Sequence, residues 1–381
     1  MKILVVNYEY PPIGGGGGSC CKEIVQNLAN KGYQIDVFTA GYKKFKKFEK
    51  VNDNLTIYKI KSNRKSENEV GFFGLITFLI RALFKIRKII KKNQYDIIHY
   101  HFSVPTGLLT FFHSKKVPYI VTLHGIDVPG FHADEFPLFQ KLTRPFNKRI
   151  IKNAARVVAV SNNLKEKALE TFKNVKIDVI YHGVDITKFK IIDKHTERDF
   201  IHFICVARLV KFKRIDVLLR AYKIFLQKNQ LKSQLTIIGT GYLKETLIQL
   251  SIELGIYDNV KFRGYVSNEE IPDFLNDADI FTLPTVYDSF GIVFIEAMAC
   301  GLPCIGAKSA GVPEVVRDNF TGLLAEPDDE VSFAECMIKL ANNNELRRKL
   351  GKNAHHTIIN SYSWDHIVKS YITMFNEVKN K

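Results

Sequence analysis

The sequence predicts an α/β protein built from two doubly wound, Rossmann-like domains. At 381 residues the chain is too long for one ordinary hydrophobic core, and two domains of about 150–200 residues are expected. Short apolar segments alternate with helical patterns along the chain, which favours parallel sheets covered by helices. A hydrophobic content of 46% with 25% charged residues is that of a folded, water-soluble protein.

The first elements indicate a βαβ unit with a glycine-rich loop. Residues 2–8 form a continuous apolar strand, and five glycines at 14–18 precede a helix that we expect to start at Ser19 as its N-cap. A loop at a helix N-terminus can hold phosphate. Its spacing is not that of a dinucleotide-binding loop, so a dinucleotide cofactor is not favoured. A merely flexible loop is the alternative.

The remaining strands fall into two series. We expect an N-terminal domain over 1–189, a C-terminal domain over 190–361, and a last helix over 362–381 that crosses back to the first domain. Residues 190–199 are charged, without pattern, and form the best candidate linker. The further expected strands lie at 34–40, 55–60, 95–102, 118–125, 154–161 and 176–185, and then at 200–208, 235–241, 259–266 and 279–284.

The positive charge is concentrated in the first half of the chain. Residues 1–190 hold 32 Lys and Arg against 15 Asp and Glu, whereas residues 191–381 hold 23 against 24. Such asymmetry indicates an anionic partner for the first half, namely a membrane surface, a lipid-linked phosphate or nucleic acid. A general coding bias towards lysine is the alternative.

Residues 70–92 predict a basic amphipathic helix. Arg81, Lys85, Lys88 and Lys92 recur at helical spacing among aromatic and aliphatic residues. Such a helix can lie on an anionic membrane. The alternative is a helix of the hydrophobic core with lysines that reach out to solvent.

The cysteines and the N-terminus indicate a cytosolic protein. The six cysteines form no CxxC pattern and no metal-ligand spacing, which is typical of reduced thiols. Met1 leads straight into a strand without a secretory leader. The longest apolar stretch, residues 70–80, has 11 residues and is too short to cross a bilayer.

Two carboxylates mark the candidate ligand site. Seven residues separate Asp288 from Glu296, and a small-residue turn at 289–291 leads into an apolar helix. Because two helical turns span just over seven residues, both acids can line one wall and accept hydrogen bonds from a polyol. Two solvated acids beside an ordinary strand–loop–helix unit are the alternative.

The wording of residues 282–314 resembles the retaining glycosyltransferases of family 4, which have the GT-B fold. Their E-x7-E signature corresponds here to Asp288 and Glu296, with Asp in place of the first Glu. The stretch V-T-L-H-G-I-D resembles the motif of the family's active-site histidine and places it at His124. His99 and His101 are interpreted as structural.

Further motifs extend the resemblance over nearly the whole chain. A-R-L-V-K-F-K-R matches the phosphate-binding stretch, so Arg208 and Lys213 are the expected phosphate cations. Arg214 replaces the usual glycine, which predicts that the backbone there avoids positive φ. His182 replaces the usual asparagine of an N-G-V-D stretch. The donor-binding residues that the resemblance implies are Gly15, Gly16, Arg208, Lys213, Gly239, Tyr265, Asp288, Phe290, Gly291, Ile292 and Glu296.

The resemblance implies two Rossmann-like domains facing a central cleft and a retaining sugar transfer from a nucleoside-diphosphate-sugar. A UDP-sugar is expected first and GDP-mannose next, with Glu296 on the ribose, and with Asp288 and His124 on the donor sugar. Arg208, Lys213 and the amides of the glycine loop would stabilise the leaving diphosphate. A front-face displacement is expected, and Asp288 as a covalent nucleophile is the alternative.

The basic first half of the chain and the helix at 70–92 indicate a membrane-surface enzyme whose acceptor is a lipid-linked glycan of cell-surface polysaccharide or glycolipid synthesis. The partners are therefore a sugar nucleotide and an anionic membrane surface contacted by Arg81, Lys85, Lys88 and Lys92, with no nucleic acid, no cofactor and no metal. Asp277-Ala278-Asp279 matches the metal-binding DxD of other transferases, but it lies where a helix gives way to a strand. A nucleic-acid-binding protein on paired Rossmann domains, or a sugar-nucleotide epimerase, are the alternative functions.

Overall fold

The computed structural model confirms the predicted α/β class. It describes residues 1–64, 66, 70–112, 117–131, 137–192 and 199–380, except for the side chains of residues 72, 137 and 139. The chain divides into two compact units, Met1–His182 with Trp364–Lys381 (unit 1) and Gly183–Ser363 (unit 2). The expected linker at 190–199 lies in large part outside the described residues.

Unit 1 contains, within the described ranges, an eight-stranded sheet of order β3-β4-β2-β1-β5-β6-β7-β8. All neighbouring strands are parallel except the edge pair β3 and β4. The strands are β1 (Lys2–Val6), β2 (Gln34–Gly41), β3 (Phe48–Lys50), β4 (Leu55–Lys61), β5 (Ile97–His101), β6 (Tyr119–Leu123), β7 (Arg156–Ala159) and β8 (Ile177–Val179). The helices are α1 (Gly16–Asn30), α2 (Gly71–Asn93), α3 (Pro137–Lys152), α4 (Asn162–Thr171) and α12 (Trp364–Lys379), with a 3₁₀ helix at Thr106–Phe112.

The helix after the glycine loop starts earlier than the sequence predicts. The expectation that Ser19 caps it is wrong, because α1 begins at Gly16 and Gly15 is its N-cap residue. The amides of Gly18 and Ser19 both donate to the Gly15 carbonyl, so the first helical turn is built from glycines. Gly14 has φ +103°, a conformation that glycine adopts without strain, and this turn lets the helix begin before a side-chain cap is available.

The predicted helix at 70–92 is confirmed, and it has two different faces. Phe78, Ala82 and Ile86 are fully buried and pack in the core of unit 1. The opposite face is exposed and carries Arg81, Lys85, Lys88 and Lys92. Both expected features, core packing and a cationic surface, therefore belong to the same helix.

Unit 2 contains a six-stranded, wholly parallel sheet of order β11-β10-β9-β12-β13-β14 among its described residues. Its strands are β9 (Ile201–Val206), β10 (Ser233–Ile238), β11 (Val260–Gly264), β12 (Ile280–Leu283), β13 (Cys304–Ala307) and β14 (Gly322–Ala325). Its helices are α5 (Ile215–Lys228), α6 (Lys244–Glu253), α7 (Ile271–Asn276), α8 (Ile292–Ala299), α9 (Val312–Val315), α10 (Glu330–Ala341) and α11 (Asn344–Ser361), with 3₁₀ helices at Lys211–Lys213 and Tyr257–Asn259.

The last helix belongs to unit 1 although it follows unit 2 in the chain. Its Tyr371 and Phe375 rings pack against the ring of His99 on β5, with centroids 5.8 Å and 5.7 Å away. Both aromatic side chains are fully buried. Across the described ranges, none of the helices is both long enough and apolar enough to pass through a membrane.

Candidate active site

The glycine loop of unit 1 is held by Glu9. The Gly15 amide donates to a carboxylate oxygen of Glu9 at 3.1 Å. A β-carbon at Gly14 would lie 2.5 Å from that of Glu9, so only glycine fits against this side chain. The loop therefore already binds a carboxylate with an amide at the start of α1, which is the chemistry expected for an anion at a helix N-terminus.

His124 directly follows β6, where its turn is fixed by a buried carboxylate. Asp127 is 1% exposed, and one of its oxygens accepts from the amides of His124 and Gly125, both at 3.0 Å. The other oxygen accepts from the Ser103 amide at 2.7 Å. Burial nevertheless raises the pKa of Asp127 above its ordinary value. Three backbone donors thus tie the His124 turn to the end of the neighbouring strand β5.

A second histidine supports the His124 ring. His101 Nδ1 lies 3.0 Å from His124 Nε2, and the two rings stack with centroids 5.2 Å apart. Burial is the main cause that lowers the pKa of both rings well below 6.5, and the charges of neighbouring histidines lower it further. Two neutral rings form such a bond with one nitrogen donating and the other accepting. A β-carbon on Gly17 would lie 3.6 Å from His124 Nδ1, so this second nitrogen points towards the start of α1.

His101, His182 and Asp127 are candidate site residues that the sequence reasoning did not include. His182 also stacks with His124, with ring centroids 5.7 Å apart and planes 16° from parallel. Asp127 ends the V-T-L-H-G-I-D motif, which gave a local signal for it. His101 had no such signal, because its position beside His124 depends on the pairing of β5 with β6.

In unit 2, an expected phosphate cation and an expected sugar-binding acid form an ion pair. Lys213 Nζ lies 2.5 Å from Asp288 Oδ2, and the side chains are only 12% and 17% exposed. The guanidinium of Arg208 is exposed and lies 5.7 Å from the Phe212 ring centre. The loop after β9 thus carries one cation that is already paired and one that is open to an anion.

Gly239 brings two backbone loops into direct contact. It has φ +136°, and a β-carbon there would lie 1.9 Å from the Ala207 carbonyl oxygen. Its amide donates to the Gly264 carbonyl at 2.8 Å, so that amide is already used by the protein. Tyr265, which follows Gly264 in the chain, is 72% exposed and can contact a ligand. Gly239 therefore shapes the loop after β9, while Tyr265 offers a side chain.

Helix α8 presents its N-terminus and Glu296 on one element. Gly291 is the N-cap residue with φ +91°, and Ile292, which is partly exposed, begins the helix. The Phe290 side chain is 1% exposed and packs against Tyr362, so it supports the turn from inside unit 2. Burial raises the pKa of Glu296 to about 7, opposed by the positive charge of Lys188. Lys188 is a further residue that the sequence reasoning missed.

The similarities of the chain to known proteins cover both units. The family model described as Glycosyltransferase Family 4 matches residues 14–188, and the one described as Glycosyl transferases group 1 matches residues 187–357. The chain belongs to the family-4 glycosyltransferases. The resemblance stated from the motifs is thereby confirmed, and the fold is GT-B.

A sequence relative and two solved structures of similar fold align with this glycosyltransferase over nearly their full length. The N-acetyl-alpha-D-glucosaminyl L-malate synthase of Bacillus anthracis is 28% identical, with 99% of this chain and 98% of the relative covered. A sucrose-phosphate synthase structure from Thermosynechococcus elongatus superposes with a TM-score of 0.86 at 21% identity over 99% of both chains. Anabaena HepE in complex with UDP and glucose gives 0.78 at 19% identity, over 99% of this chain and 100% of HepE.

Arg214 of this glycosyltransferase overturns one sequence prediction. Its backbone has φ +52°, although the replacement of glycine predicted an avoidance of positive φ. Arg214 is the single residue between the 3₁₀ helix Lys211–Lys213 and α5, and its left-handed backbone conformation separates the two helices. Its guanidinium pairs with Asp216 at 3.3 Å and with Asp328. These ion pairs offset part of the strain that a non-glycine residue bears in this conformation.

The DxD-like residues of the glycosyltransferase serve its backbone. Asp279 accepts from the His202 amide at 2.8 Å, and the His202 ring lies 2.6 Å from the Asp277 carbonyl oxygen. These bonds join the start of β9 to the turn before β12. Among the residues that the structure describes, no cluster of three or more His, Cys, Asp or Glu is arranged to hold a metal ion.

Proposed function

We propose that this glycosyltransferase transfers a sugar from a nucleoside-diphosphate-sugar to a hydroxyl group with retention of the anomeric configuration. The observation that carries the proposal is the Lys213–Asp288 pair at the entrance to α8, with Glu296 on the same helix. A cation for phosphate, an acid for a sugar and an acid for a ribose are the side chains that such a donor requires.

Unit 2 would hold the nucleoside diphosphate. Arg208 presents an exposed planar guanidinium that can bind phosphate oxygens in pairs. Lys213 would keep Asp288 in place and supply positive charge to the leaving diphosphate. Because Lys213 is held by Asp288 before the bond breaks, it would stabilise developing charge with little reorganisation. This arrangement supports a metal-independent reaction.

His124 would act on the donor sugar as a neutral hydrogen-bonding ring. Burial and the neighbouring histidines hold its pKa well below 6.5, so the ring stays uncharged across the physiological range. Its Nδ1 is the nitrogen available to a sugar hydroxyl, since Nε2 is bonded to His101. The amides of Gly15 and Gly16 would complement the diphosphate after displacing Glu9.

Retention without a covalent intermediate fits the pairing of Asp288. A carboxylate engaged by a lysine at 2.5 Å is a poor nucleophile, because attack would require breaking that ion pair. We therefore propose a front-face displacement in which the leaving phosphate takes the proton of the acceptor hydroxyl. Asp288 then serves to hold the donor sugar.

We further propose a lipid-linked acceptor of cell-surface glycan synthesis at the inner face of the cytoplasmic membrane. The exposed, acid-free face of α2, with Arg81, Lys85, Lys88 and Lys92, supports contact with anionic lipid. A UDP-sugar is the first candidate donor, since a structure of the similarly folded HepE contains UDP and glucose. GDP-mannose is the next donor to test.

A small anionic acceptor is the second candidate. The relative from Bacillus anthracis is named for transfer to L-malate and aligns with 99% of this chain. The positive charge of the N-terminal half suits a free carboxylate as well as a lipid phosphate. Transfer of labelled sugar to L-malate in the absence of lipid would favour this candidate, and transfer only to a lipid extract would reject it.

The donor site is tested by thermal shift with UDP, GDP, ADP and their sugar conjugates. At 100 times its dissociation constant a donor should stabilise the protein by about 2.7 kcal/mol. The shift should appear with one base and be lost in Glu296→Ala. It should persist in Glu335→Ala, which removes an exposed glutamate of α10. No shift of the wild type with any nucleotide, together with salt-sensitive binding of random DNA, would overturn the proposal.

A further inference from the structure

Unit 1 exposes a band of large apolar side chains that the reaction does not use. Phe84 of α2 is 74% exposed, and Leu142 of α3 is 62% exposed. Monomeric proteins rarely leave a contiguous apolar patch of this kind uncovered unless it binds something. We call this band the aromatic strip. Its members are Phe84, Phe112, Phe111, Phe146, Leu142 and Leu138.

Contacts between neighbouring elements connect the aromatic strip from α2 to α3. Arg87 of α2 donates to the Phe112 carbonyl at 2.6 Å and covers the ring of that residue at 5.7 Å. The Phe111 ring meets Phe146 of α3 edge-on with centroids 6.2 Å apart. Arg149 lies 5.2 Å from the Phe111 ring centre. Two helices and the 3₁₀ helix between them therefore form one continuous surface.

Helix α3 carries an exposed apolar face in addition to its buried face. Leu138, Leu142 and Phe146 recur every four residues, which places them along one face of the helix. The opposite face is buried through Asn147 and Ile151. An exposed apolar face of this kind on a helix with a separately anchored inner face is free to bind a partner.

The charge around the aromatic strip identifies the partner. Helix α2 carries six Lys and Arg, α3 carries five, and neither helix nor the 3₁₀ helix Thr106–Phe112 contains an acidic residue. Apolar side chains flanked by cations of one sign match the interface of an anionic bilayer, where rings enter the headgroup layer and cations meet lipid phosphates. Nucleic acid would use the cations but gains nothing from exposed leucines.

We propose that the aromatic strip docks this protein on an anionic lipid bilayer, with α3 as a second membrane-contact helix beside α2. This proposal rests on the membrane association proposed above for α2, and it adds the elements that enter the lipid. The inner face of α3 connects the strip to the catalytic turn. Asn147 donates to the Asp127 carbonyl at 3.1 Å, and Asp127 fixes the amide of His124.

The test measures partitioning of the full chain onto vesicles of phosphatidylcholine with and without phosphatidylglycerol. Wild type should sediment with anionic vesicles at low salt and lose binding at high salt. The variant Leu138→Ser/Leu142→Ser/Phe146→Ser should partition at least tenfold more weakly, with an unchanged thermal transition because all three side chains are exposed. A matched variant, Ile252→Ser on α6 of unit 2, should bind as wild type does.

A tryptophan reporter locates the contact directly. The single native tryptophan, Trp364, is 6% exposed, so a tryptophan introduced on the surface supplies the lipid-sensitive signal. Brominated phosphatidylglycerol should quench Leu142→Trp and leave Phe48→Trp on the edge strand β3 unquenched.

Each outcome separates the proposals. Wild-type binding by the serine variant, or no quenching of Leu142→Trp, would overturn the role of α3 while the contact of α2 stands. If wild type does not bind vesicles but still shows a thermal shift with a donor, membrane association would be rejected and the proposed sugar transfer would stand. Binding to random DNA but not to vesicles, or concentration-dependent dimerisation that the serine variant abolishes, would assign the strip to a different partner.

Discussion

Glu296 is proposed to accept hydrogen bonds from the donor ribose, yet its surroundings oppose its charge. Burial raises its pKa to about 7, and Lys188 only partly offsets the effect. A carboxyl with an ordinary pKa near 4.5 in the unfolded chain therefore holds its proton longer in the folded protein. Folding stability is then greatest below that lower value and falls as the pH rises towards 7.

We predict that Glu296→Gln stabilises the ligand-free protein at pH 8. The neutral amide avoids the cost of ionising a partly buried carboxyl, for which the raised pKa gives an upper bound of about 3 kcal/mol. The gain should shrink as the pH is lowered to 5, where the folded wild type is protonated. Thermal unfolding of both proteins at pH 5 and pH 8 measures it. An equal difference at the two values would show that the pKa of Glu296 is not raised.

The local part of the proposed donor site could be read from the sequence, because one turn and one helix carry it, and its role stays a prediction. Asp288, Gly291 and Glu296 lie within nine residues on a turn and the helix α8, so their spacing alone relates them. The pairing of Lys213 with Asp288 was not predictable, since it joins loops 75 residues apart. The αL backbone of Arg214 also escaped prediction, because the ion pair with Asp328 that accompanies it joins residues far apart in the chain.

At the scale of the secondary-structure elements, the pairing of β5 with β6 brings His101 beside His124 and holds the His124 ring in place. His101 ends β5 and places its ring on that of His124, which follows β6. We predict that His101→Ala lowers the turnover number by roughly tenfold to a hundredfold, because a catalytic group displaced by about an ångström loses much of its effect. A thermal shift that UDP causes in the wild type should persist in this variant, since unit 2 is proposed to hold the nucleotide.

The control for His101 lies on the same strand. His99 is equally buried, but its Nε2 pairs with the Thr122 hydroxyl at 2.7 Å. His99→Gln should therefore keep the turnover number, while His101→Gln, whose amide can still meet His124, should recover part of the loss seen with alanine. Equal losses in His99→Gln and His101→Ala would assign both residues to folding and remove the positioning role of His101.

At the scale of the whole molecule, unit 1 consists of two separate parts of the chain, and unit 2 lies between them in the sequence. Helix α12 returns from Ser363 and buries Tyr371 and Phe375 beside His99 on β5. The sequence analysis expected a last helix that crosses back to the first domain, but the residues that this helix contacts depend on the completed sheet. Unit 1 therefore owes part of its core to the last residues of the chain.

We predict that Phe375→Ala destabilises unit 1 by about 3–5 kcal/mol, the usual cost of deleting a fully buried aromatic ring. Scanning calorimetry with and without UDP distinguishes the units, because UDP should raise only the transition of unit 2. The variant should lower the transition that UDP leaves unchanged. Ile359→Ala, at a side chain of α11 that is 43% exposed, should leave both in place. A fall confined to the UDP-sensitive transition would show that α12 stabilises unit 2 instead, and a joint fall would show that both units unfold as one.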